Sequence, residues 1–148
     1  MDIKSLKPRK SARYKQGYID PRSCKKLFPQ LSKQSIIYRS SYELKFITWL
    51  ENNSSVKNWG SECFYIPYLY KDGTTHKYYP DYFVEMINGD KIVVEIKPYN
   101  QTQKPVNENC WAAKEYSKNV YKWNAAKEFC QRKGFIFKIL TEKTINQL

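Results

Sequence analysis

The chain has 148 residues, enough for one domain that buries roughly two thirds of its unfolded surface without staples. Hydrophobic residues make up 41% and aromatic residues 16%, which excludes a disordered chain, and no apolar run reaches the roughly 18 residues that a membrane span needs, so no membrane partner is expected. The net charge of +12 points to an acidic partner.

The charge is concentrated at the start. Residues 1–40 hold eleven Lys and Arg against Asp2 and Asp20 alone. Phosphates attract such a segment, and counterion release drives the binding. Lys7, Arg9, Lys10, Arg13, Lys15 and Arg39 are the expected nucleic-acid contacts. A solvated tail or docking on an acidic protein surface would use the same charges. No apolar stretch follows the first charges, so a secretory signal is not expected. Pro8, Pro21 and Pro29 argue against one continuous helix, and residues 1–35 read as an irregular basic arm ahead of a folded domain over 36–148.

Ser40 followed by Glu43 fits a capping box, and Leu44, Ile47 and Leu50 recur at helical spacing as far as residues 52–54. Residues 63–70 read as a strand, residues 71–74 as a turn, and residues 76–86 as the returning strand. Asn88-Gly89-Asp90 is a tight turn into a third strand, 91–97. The three form an antiparallel meander. Residues 98–109 are a polar loop. Residues 110–133 are helical, with a break expected near 118–120, and Gly134 stops the helix. Residues 135–140 then return as a strand to the same sheet. The fold class is α/β (α+β): helix, three-strand meander, helix, strand.

Hydrolysis of a phosphodiester needs charge neutralisation, an activated water and a stabilised leaving oxygen. A magnesium ion held by carboxylates supplies all three, manganese being able to substitute, and a nearby lysine orients or deprotonates the water. Asp81 follows Pro80 at the start of one strand. Glu95-Ile96-Lys97 ends the next one, with Glu95 and Lys97 two apart and so on one face. The turn at Gly89 folds the two strands together, which brings Asp81 near Glu95. The backbone carbonyl of Ile96 is a further oxygen ligand. Glu43 is a fourth candidate, catalytic and metal-binding, if the first helix overhangs this end of the hairpin, although its capping role alone would explain it. Each residue alone also fits an ordinary exposed strand. His76 reads as a hairpin histidine, with a contact to DNA as the alternative, and Tyr78-Tyr79 as hairpin packing rather than base stacking. Cys24, Cys63, Cys110 and Cys130 form no CxxC pair, and with a single histidine they make no zinc pattern.

Pro80-Asp81 followed by Glu95-Ile96-Lys97 resembles the PD-(D/E)xK signature of the restriction-endonuclease-like superfamily, and Glu43 matches the acidic residue often found on its first helix. Tyr78-Tyr79-Pro80-Asp81-Tyr82-Phe83 and residues 134–142 are similar to TnsA-type transposon nucleases. Residues 39–46 are similar to the head-completion nucleases of contractile-tailed phages, whose small single domain the chain length also fits. The resemblance covers residues 36–142. It implies a magnesium-dependent endonuclease acting on double-stranded DNA at the packaged genome end. It further implies portal or neck proteins as partners, with the infected host's cytoplasm or the virion as its setting. A homodimer is compatible with it. A catalytically weak DNA-binding assembly part and a TnsA-like or junction-resolving nuclease are the alternatives.

Overall fold

The computed structural model describes residues 17–31 and 35–148. Its centre is a four-stranded sheet: β3 (Val56–Ser61), β6 (Tyr82–Met86), β7 (Lys91–Ile96) and β8 (Ile136–Leu140), adjacent in that order. The first three run antiparallel, and β8 joins β7 in parallel with Ile96 beside Leu140. Two smaller ladders flank it. One pairs β1 (Gly17–Ile19) with β2 (Ile36–Tyr38), and the other pairs β4 (Ile66–Leu69) with β5 (Thr75–Tyr78).

Helix α1 (Ser41–Asn52) covers one face of the sheet. Ser40 starts it, its hydroxyl accepting the Glu43 N–H at 3.2 Å. Phe46, Ile47 and Leu50 are buried against Trp59, Tyr82, Val84 and Val94. Each such side chain contributes about 1.5–3 kcal/mol by leaving water. Helix α2 (Trp111–Lys133) packs on the opposite side with the β4–β5 hairpin, through Ala126, Phe129, Ile66, Tyr68 and Tyr78. Gly134 ends α2 in the left-handed region at φ 74°, as expected of a glycine past a helix terminus. A last turn, α3 (Glu142–Ile145), anchors Ile145 in the interior.

Four expectations from the sequence need correction. The meander exists, but its first strand is 56–61 rather than 63–70, because a register shift between Val56 and Asn58 destroys the two-residue alternation that marks a strand. The expected strand 76–86 is two strands, since Pro80 lacks the N–H needed to continue the ladder, and β5 leaves for a separate hairpin. Helix α2 runs unbroken through 118–120. Residues 17–31 are not irregular: β1 and two single turns occupy them, and Ile19 and Leu27 enter the core. Three-residue strands carry too little periodicity to be read.

The candidate active site

The hairpin β6–β7 builds the site. Tyr82 stands opposite Val94, so the same register carried one residue further sets Asp81 opposite Glu95. Gly89, at φ 97°, makes the tight turn that fixes this register. Side chains alternate along β7. Val94 packs under α1, while Glu95 projects to the other face, and Lys97 shares that face. Lys97 Nζ lies 3.8 Å from Glu95 Oε1. The Ile96 N–H donates to Asp81 Oδ2 at 2.7 Å. A strand residue's N–H and C=O point to the same side, so the Ile96 carbonyl is directed along the same edge as Asp81.

An open cavity of about 290 Å³ gathers these groups. Glu43, Asp81, Glu95, Ile96 and Lys97 all line it, as does Arg39. Helix α1 does overhang the hairpin end, so Glu43 reaches the cavity from the first turn of the helix. Its Oε2 accepts the Arg39 N–H at 2.7 Å, while Arg39 Nη1 pairs with Glu62 Oε1 at 2.5 Å. Glu62 is the one non-glycine residue with positive φ among the described residues, at 47°, and its N–H donates to the Asp81 carbonyl. Lys7, Arg9, Lys10, Arg13 and Lys15 lie outside the described residues. His76 does not reach the site. Its ring stacks on Tyr68 and its Nε2 lies 2.6 Å from Thr74 Oγ1.

Burial governs the electrostatics. It raises the Asp81 carboxyl well above the usual range, and repulsion from Glu95 raises it further, against the Ile96 N–H and Lys97. Burial likewise raises Glu95, opposed first by the Tyr78 hydroxyl and then by Lys97 and Lys122. Glu43 is pushed up to about 7 by burial and then by Asp81. Three acids with raised proton affinity line one cavity beside Lys97 and Arg39, an oxygen-rich set that suits a hard cation. Among the described residues, no three His, Cys, Asp or Glu side chains are grouped to hold one ion by themselves. Asp81, Glu95 and the Ile96 carbonyl are the groups that could hold a divalent cation, whose remaining ligands would be water and substrate oxygens.

Two contributors were not singled out from the sequence as site residues. Tyr78, read as hairpin packing, donates its hydroxyl to Glu95 Oε2. Glu142 lines the cavity and accepts the Tyr99 N–H at 2.8 Å. The signal for Glu142 was the parallel return of β8, which ends two residues earlier beside Ile96.

The chain is 33% identical over 126 residues to the head completion nuclease of Enterobacteria phage T4, covering 78% of this chain and 84% of that protein. The family model for the TnsA-like endonuclease N-terminal domain matches residues 53–142, a span that contains Asp81, Glu95 and Lys97. With its mixed α/β architecture of restriction-endonuclease type, the chain belongs to the TnsA-like endonuclease N-terminal family.

Proposed function

We propose that the protein is a magnesium-dependent DNA endonuclease that hydrolyses phosphodiester bonds with Asp81, Glu95 and Lys97. The observation that carries this reading is that these three side chains line one cavity at the open end of one hairpin. Asp81, Glu95 and the Ile96 carbonyl would hold the cation, with Glu43 acting on it through water. When bound, the cation supplies charge neutralisation and a more acidic water. Lys97 stands close enough to Glu95 to be held in place, where its ammonium orients the attacking water and its neutral amine would take the water's proton. Arg39 is set to meet a phosphate at the rim, and the basic residues Lys7, Arg9, Lys10, Arg13 and Lys15 would add backbone contacts.

The relative's name supports a role in finishing the phage head. The protein would then act on the end of the packaged double-stranded genome, beside portal or neck proteins, in the infected cell or the new virion. Incubation of the purified protein with plasmid DNA tests the reading. Cleavage is expected with magnesium and with manganese and none with a chelator. Equal cutting in the presence of chelator would overturn the metal assignment.

A further inference from the structure

A second open groove, of about 600 Å³, lies against the candidate active site. The two share walls. Pro98 and Gln101 face the first cavity while Tyr99 and Thr102 line the groove, and Glu142 faces the first while Thr141 and Lys143 line the second. The bond from the Tyr99 N–H to Glu142 Oε2 joins the two walls. Tyr99 is two residues past Lys97, so its Cα lies within about 7 Å of chain from that of the candidate catalytic lysine.

The groove's chemistry differs from that of its neighbour. Tyr99, Tyr116 and Trp123 contribute aromatic surface, and Lys127 and Lys143 contribute charge. None of the described residues lining it is acidic. Lys143 Nζ sits 3.4 Å from the Tyr99 ring centroid, which holds an ammonium at the groove edge. The Trp123 indole N–H in the wall is buried with no hydrogen-bond partner among the described residues. Aromatic faces beside lysines hold unpaired nucleotides, because a base can stack on a ring only when it has left its own helix.

We propose that this groove holds an unpaired nucleotide of the DNA strand next to the scissile phosphate, so that the preferred substrate is single-stranded on one side of the cut. The inference rests on the nuclease reading of the adjacent cavity and names its substrate class. Tyr116 offers aromatic surface to the base beside the Tyr99 ring that Lys143 covers, and Lys127 and Lys143 neutralise the neighbouring phosphates.

Two measurements test it. The first is binding of labelled oligothymidylate to the Asp81→Asn protein, which needs no cleavage. Adding Lys127→Glu or Tyr116→Ala to that protein should weaken binding about tenfold. Lys127 is exposed, so its replacement leaves the fold intact. The second compares cleavage of a blunt duplex with that of the same duplex carrying a splayed single-stranded end. The wild type should cut the splayed substrate about tenfold faster, and Lys127→Glu should erase that preference. Unaltered oligothymidylate binding in both variants, or no preference in the wild type, overturns the groove assignment. Undiminished cleavage by Asp81→Asn alongside groove-dependent binding would instead overturn the nuclease site and leave the groove standing.

Discussion

The hydroxyl of Tyr78 donates to Glu95 Oε2 at 2.5 Å inside the protein, while Glu95 Oε1 is the oxygen that faces Lys97. One oxygen of the carboxylate is thus tied to the β4–β5 hairpin, and the other is left for the site. Pro80 makes this possible by ending β5 and letting Tyr78 and Asp81 belong to different ladders. Partners of this kind typically change metal affinity or activity 10–100-fold. Tyr78→Phe should therefore raise the magnesium concentration needed for half-maximal cleavage about tenfold, with a folded protein by circular dichroism. A magnesium titration of the cleavage rate checks it.

Glu43 gives a pH signature. Its folded-state proton affinity is raised to about 7 from the ordinary value of 4.5, so the folded protein holds this proton more tightly than the unfolded chain does. Its contribution is present in full below pH 4.5 and is lost as pH rises through 7. Metal-free protein should lose stability over that window. Glu43→Gln should flatten the loss and stabilise the protein at pH 8 by about 1–3 kcal/mol. Urea melts at pH 5 and pH 8 measure both effects.

Glu51 is a structural counterpart, away from the site. Its carboxylate accepts the Lys25 N–H at 2.6 Å, the Lys26 N–H at 3.1 Å and the Trp59 indole N–H at 2.8 Å. It ties residues 25–26 to α1 and β3 at once. Glu51→Ala leaves the indole donor of a fully buried tryptophan without this partner. The expected cost is about 2–4 kcal/mol, read as a lower urea midpoint. The catalytic rate of the remaining folded protein should be little changed.

The basic residues near the N-terminus predict a salt effect. Replacing Arg9, Lys10 and Arg13 with Glu should weaken DNA binding uniformly across sequences and lower the slope of log affinity against log salt by about 3. Fluorescence anisotropy between 50 and 300 mM salt would show it.

The convergence of Asp81 and Glu95 was legible because it is local. Asp81 and Glu95 are joined by one tight turn, and a turn with glycine at positive φ fixes which residues face each other. Helix α1 was legible from Ser40 and the spacing of its apolar residues. What escaped was non-local or irregular. Strand β3 carries a register shift and polar Lys57 and Asn58, so it shows no alternation. Strand β5 reads as one piece with β6 because composition does not reveal that a proline reroutes the chain to another ladder. Tyr78 and Glu142 reach the site through contacts 17 and 43 residues away in the chain, and no periodicity encodes those.

The most direct test is magnesium-dependent cleavage of plasmid DNA by Asp81→Asn and Glu95→Gln, with thermal melting of each variant alongside. Removing either carboxylate relieves their mutual repulsion, so both variants should melt at or above the metal-free wild type while cleaving at least about 1,000-fold more slowly. Cleavage by either variant at the wild-type rate, in a folded protein, would contradict the account.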